Sequence, residues 1–154
     1  MKIVIAAVGK LKERHYRDAA AEYLKRLRPY AAIEILEAPD QDLSQGDDRA
    51  RRTEAEALER LVPAGARLIA LDAGGRQFSS EGFSQHLAEI MHSGQGAVAF
   101  IVGGSAGIDP QLLARADERM SLGPMTLPHQ LARVVLLEQV YRAFRIMRNE
   151  PYHR

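Results

Sequence analysis

Apolar and polar positions follow two rhythms along this chain, one of strands and one of helices. KIVIAAV (2–8) is apolar almost throughout and reads as a buried strand. RHYRDAAAEYLKRL (14–27) repeats its apolar positions every three to four residues, as an amphipathic helix does, and RPY stops it. AIEILEA (32–38) alternates with period two and predicts a strand. A polar loop over 39–47 leads into a charged helix, DRARRTEAEALERL (48–61), which Pro63 and Gly65 close. ARLIALD (66–72) predicts a third strand and AGGRQ a turn. SSEGFSQHLAEIMH (79–92) predicts a helix capped by Ser79 or Ser80, with Glu81 in its first turn. AVAFIV (97–102) is a strand apolar on both faces, GGSAGID its exit loop, and Asp109-Pro110 the cap and first turn of a short helix. RMSL (119–122) is the last strand, and beyond GPMTLPH a long helix runs to Arg148. Five strands alternating with five helices predict one α/β domain over 1–154, a mostly parallel five-stranded sheet with helices on both faces.

Composition narrows the functions open to such a domain. The 154 residues contain no cysteine, which removes disulfides, thiolate metal sites and cysteine nucleophiles. A chain of this length buries roughly two thirds of the surface it exposes when unfolded, so it needs no metal or disulfide staple. The N-terminal apolar run is brief, meets charge at once and lacks a small-residue cleavage site, so it reads as a strand and not a signal peptide. No stretch approaches the ~18 apolar residues of a membrane span. A cytoplasmic protein without a membrane partner is expected. Net charge is +1, which argues against a module that is basic over its whole body. From His129 onward, five arginines face two glutamates, a formal excess of three. That end either meets phosphate or solvates the outer face of a helix.

In parallel α/β sheets, ligands gather beyond the carboxyl ends of the strands. The loops after Leu71, Val102 and Leu122 are therefore the ones to inspect, and all three carry glycine: DAGG, GGSAG and GPMTLPH. GGSAG matches the G-x-S-x-G of serine hydrolases, with aspartates and histidines following in a usable order. An elbow of that kind starts its helix directly after the serine, whereas Asp109-Pro110 restarts the helix later. Neither a Walker A loop nor G-x-G-x-x-G follows the first strand.

The loop before the long helix is stiffened by Pro124 and Pro128, which preorganises a pocket. With Pro128 in the first helical position, Leu127 would be the cap, and leucine has no oxygen for the free N–H groups, which are left for a ligand or for Thr126. His129, at the positive end of the helix, is a candidate proton acceptor, with a packing histidine as the alternative. Arg133 would orient a base or phosphate, or pair with a carboxylate. In the tail PYHR, Tyr152 is suited to stacking on an RNA base, and His153 and Arg154 to reaching phosphate or the reacting edge. The long helix is apolar over much of its circumference and so is buried on more than one side.

FIVGGSAG (100–107), the segment from SLGPMTLPHQLAR to the terminal PYHR, the opening VGKLKE and the LD.GG turn together resemble a bacterial family that methylates N3 of a pseudouridine in 23S rRNA. This family belongs to the SPOUT, or trefoil-knot, methyltransferases. The resemblance spans the chain and is most specific over the last fifty residues; Gly123-Pro124 stands where serine and a variable residue are commoner. It implies a C-terminal trefoil knot, S-adenosyl-L-methionine as methyl donor with no metal, action on assembled ribosomes, and a homodimer through the last helix. The cofactor residues it implies are Leu71, Gly103, Leu122, Gly123, Pro124, Met125, Thr126 and Leu127. His129, Arg133, Tyr152 and His153 become catalytic candidates, and Arg142, Tyr152, His153 and Arg154 candidates for substrate contact, with one subunit's tail completing the other's site. A bulky residue at Gly103 is expected to exclude the cofactor and leave the fold largely intact. The competing reading is an RNA-associated domain without chemistry, whose glycine loops are only turns; cofactor binding separates the two.

Overall fold

The computed structural model describes residues 1–152; the expectations placed on His153 and Arg154 lie outside the described residues. The strands are β1 (Lys2–Val8), β2 (Ala32–Ala38), β3 (Arg67–Gln77), β4 (Ala97–Val102) and β5 (Glu118–Ser121). The helices are α1 (Arg14–Leu27), α2 (Asp47–Leu61), α3 (Ser80–His92), α4 (Pro110–Arg115) and α5 (His129–Met147), and a short 3-10 turn precedes α2. The strands form one sheet in the order β2-β1-β4-β3-β5, and every pairing is parallel. A parallel sheet needs cover on both faces, and successive residues of β1 supply it. Ile3, Ile5 and Ala7 pack with Leu27 of α1, Leu87 of α3 and Leu136 of α5. Ala6 and Val8 pack on the other side with Leu58 of α2 and Leu112 of α4.

The caps follow local chemistry. Ser79 accepts a hydrogen bond from the N–H of Gly82, and Asp109 accepts from Gln111 and Leu112, with Pro110 in the first turn. One element departs from the sequence pattern. AGGRQ is not a plain turn: β3 continues to Gln77, and its register against β5 slips, Met120 facing both Leu71 and Arg76. The intervening residues arch out of the sheet before pairing resumes. Gly75 is required at the return, because a Cβ there would lie 2.7 Å from the backbone nitrogen of Met120. An arch inside a strand has the composition of a turn, so periodicity alone ends the strand too early.

Candidate functional site

Because β4, β3 and β5 are neighbours running in one direction, their exit loops emerge side by side. They enclose a cleft of about 690 Å³. Leu71, Asp72 and Ala73 come from the start of the β3 arch; Gly103, Gly104, Ser105, Gly107 and Ile108 come from the loop after β4. The third wall runs from Ser121 to the first turn of α5, including Leu122, Gly123, Met125, Thr126, Leu127, His129 and Ala132. Seven of the eight cofactor residues expected from sequence thus line one cleft, and Pro124 does not. The sequence reading missed Asp72, Ile108 and Ala132. Asp72 is the cleft's carboxylate among the described residues, and its signal was its position at the carboxyl end of a strand. Met125 is 82% exposed at the rim, a large apolar side chain with little protein to cover it.

The loop after β4 is a tight turn in which Gly107 N–H donates to Gly104 C=O at 3.0 Å. Ser105 sits within it, and α4 begins only at Pro110, so the geometry of a nucleophile elbow is absent. A Cβ at Gly103 would lie 2.8 Å from Cγ1 of Ile108 and 2.9 Å from the carbonyl carbon of Gly107. The expectation for Gly103 is therefore corrected: a side chain there collides with its own turn before it fills the cleft, so the loop itself has to move. Helix α2 props this loop from behind. Arg51 donates from Nη1 to Ala106 C=O at 3.0 Å, and a Cβ at Gly104 would approach Oε2 of Glu54 to 3.1 Å.

Glu54 is 3% exposed, and its Oε1 has no hydrogen-bond partner. Burial pushes its carboxyl above the usual value of 4.5, the Gln41 N–H opposes that, and neighbouring Asp40 adds to it. The folded protein thus holds this proton more tightly than the unfolded chain does. The resulting stability is present below about 4.5 and is lost as pH rises through the folded value. Glu54→Gln keeps the shape and an amide that can donate to Asp40. It is expected to melt higher than wild type at pH 7, with the difference shrinking as pH falls toward 4.5. Melting curves across that range check this; a gain independent of pH would contradict the assigned cause.

The start of α5 differs from the sequence expectation by one residue. Pro128 occupies the cap and His129 the first helical position, and no side chain caps the helix. Proline, like leucine, offers no oxygen to the first N–H groups, so they face the cleft unsatisfied by any side chain. His129 is half-buried in the cleft wall. Arg133 is not part of that wall. It is 1% exposed and donates to Glu37 Oε2 at 2.9 Å, to Val8 C=O at 3.3 Å and to Gly9 C=O at 2.9 Å. Of the roles weighed for it, the structure places it with a carboxylate, where it ties α5 to the ends of β1 and β2.

Arg142 is likewise engaged within the chain. It donates from Nε to Glu138 at 2.8 Å and from Nη1 to the Tyr152 carbonyl at 3.0 Å. Arg145 donates to the Pro151 carbonyl at 2.9 Å, and the Tyr152 hydroxyl to Glu81 at 3.0 Å. The described part of the tail therefore lies along α5 and α3, and Tyr152 is not in the wall of its own chain's cleft. Leu136, Leu137, Val140, Ala143 and Phe144 bury one side of α5, while Leu131, Val134 and Val135 stay half-exposed.

A parallel α/β sheet with a cleft built from its last three exit loops matches a known class. Residues 1–153 fit the family described as "Predicted SPOUT methyltransferase", and the chain belongs to that family. Within it, the chain is 48% identical over 159 residues to the ribosomal RNA large subunit methyltransferase H of Ruminiclostridium cellulolyticum, with 100% of both chains covered. It is 45% identical, at the same coverage, to the protein of that name from Carboxydothermus hydrogenoformans. A solved structure, "a probable methylase family protein" from Haemophilus influenzae Rd KW20, matches with a TM-score of 0.55 at 15% identity, covering 99% of this chain and 70% of that one. That likeness speaks for the fold alone. The family also implies the knotted C-terminal path.

Proposed function

We propose that this protein is an S-adenosylmethionine-dependent methyltransferase of 23S rRNA, acting on N3 of a pseudouridine in assembled ribosomes as a homodimer. The observation that carries the reading is the convergence of the three glycine-bearing loops on one cleft. The names of its relatives supply the RNA. The residues present fit the cofactor. Leu71, Leu122 and Leu127 offer apolar walls for a purine, and Asp72 and the uncapped start of α5 offer polar partners for its hydroxyl and charged groups. S-adenosylmethionine, when bound, supplies a methyl group already activated by its sulfonium.

The protein has to align the acceptor and remove the N3 proton. Among the described residues lining the cleft, Asp72 and His129 are the groups able to take it. Arg133 acts at one remove, by holding the helix that carries His129. The half-exposed apolar side of α5 is the surface for a second copy, whose tail would then reach the cleft that Tyr152 does not reach in its own chain. Deleting residues 152–154 is expected to leave cofactor affinity unchanged and to lower methylation of ribosomes at least 100-fold, on the order of 2.7 kcal/mol in the barrier. Labelled methyl transfer to ribosomes and calorimetry measure the two; full turnover by the truncated protein would sink the role of the tail.

A further inference from the structure

Among the described residues, the arginines that make the C-terminal end basic are occupied: Arg133, Arg142 and Arg145 have carboxylate partners, and Arg148 donates to Pro29 C=O. A different group of cations is not. Lys10, Lys12, Arg14 and Arg17 follow β1, and all four are exposed. Among the described residues, Lys10, Lys12 and Arg17 enter no ion pair, and Arg14 has only a 3.6 Å contact with exposed Asp18.

Their placement works against stability. Helix α1 has no acidic residue in its first turn and no side-chain cap, and the turn carries Arg14 and Arg17 at the positive end of the helix dipole. Helices α2 and α3 place Asp47, Asp48 and Glu81 in that position. Cations there repel the unsatisfied N–H groups, whereas an external anion is attracted by both. Glu13 and Asp18 leave the stretch a formal excess of two positive charges.

The same segment is fixed beside the cleft. β1 is parallel to β4, with Ala7 opposite Val102, so the loop after β1 leaves the sheet next to the glycine loop. A Cβ at Gly104 would lie 3.0 Å from Cγ1 of Val8. Gly9, at φ +82°, turns the chain out of the sheet, and its carbonyl is held by Arg133 from the first turns of α5. The acidic loop after β2 borders this segment: a Cβ at Gly9 would lie 3.9 Å from Cβ of Asp40, which also neighbours Glu54 behind the glycine loop.

We propose that Lys10, Lys12, Arg14 and Arg17 form a docking surface for the phosphate backbone of a structured RNA that presents its nucleotide to the neighbouring cleft. The proposal rests on the ribosomal RNA reading above. It answers how a chain of net charge +1 engages a polyanion: a small set of exposed cations after β1 and in the first turn of α1, and not a basic body.

The test is the salt dependence of ribosome binding by the full chain and by the triple variant Lys10→Gln, Lys12→Gln, Arg17→Gln. Each phosphate contact adds about 0.7 to 0.9 to the slope of log affinity against log salt. The variant should bind more weakly at low salt, with a slope shallower by about two to three, while cofactor affinity stays at the wild-type value. Lys10→Arg with Lys12→Arg should keep the wild-type slope. An unchanged slope in the glutamine variant overturns the docking surface. If wild type binds ribosomes without methylating them, the enzymatic reading fails and the slopes still decide the surface; if it does not bind ribosomes at all, both fail.

Discussion

Ala132→Phe is expected to abolish binding of S-adenosylmethionine in a protein that remains folded. Ala132 lies in the first turns of α5, half-buried, with its methyl group on the cleft wall. A phenyl ring there takes up space that the cofactor needs. The helix loses roughly 0.5 kcal/mol of propensity, which a domain of this size tolerates. An affinity loss of at least 100-fold, about 2.7 kcal/mol, should appear in calorimetric titration, with melting displaced by only a few degrees. Gly103→Val should also lose the cofactor, but with a lowered melting temperature, since its Cβ meets the Gly107 backbone at 2.9 Å. Normal affinity in a folded Ala132→Phe protein would mean that the cofactor lies elsewhere.

Arg133→Met should be the most destabilising single change near the site. It leaves Glu37 without its cation and the Val8 and Gly9 carbonyls without their shared donor. Breaking a buried pair from one side costs about 3–5 kcal/mol, and the lower end applies here because Glu37 is 35% exposed. For a chain of this size that corresponds to a fall of roughly 6–12 °C in melting temperature. Activity should fall with it, since the same guanidinium holds the helix carrying His129. The double variant with Glu37→Leu removes the stranded charge and should recover part of the stability. Melting of the single and double variants measures both effects, and a single variant as stable as wild type would show that the clamp contributes nothing.

Sequence patterning carried the architecture because each element here is locally consistent. The unbroken apolar run of β4 and the period of α1 each allow one reading, and parallel order follows from their alternation. The glycine loops were legible as a site because strand direction fixes which ends face a ligand. Other features depend on partners far away in sequence. Met120 pulls β3 back into the sheet after its arch, which no window around DAGG contains. Arg133 looks like a substrate ligand until Glu37, 96 residues earlier, is found beside it. The arginines of the C-terminal helix look like a phosphate surface until their own tail and Glu138 occupy them. Charge counting favoured that end of the chain, whereas the exposed cations that the fold sets beside the cleft lie near the start.

The bond from Arg133 to the Gly9 carbonyl joins residues 124 positions apart. It also sets an order on events during synthesis. β1 is made before its neighbour β4, and well before the guanidinium that fixes its exit. A nascent chain can therefore hold β1 against β2 but has no cleft until the first turn of α5 has been made.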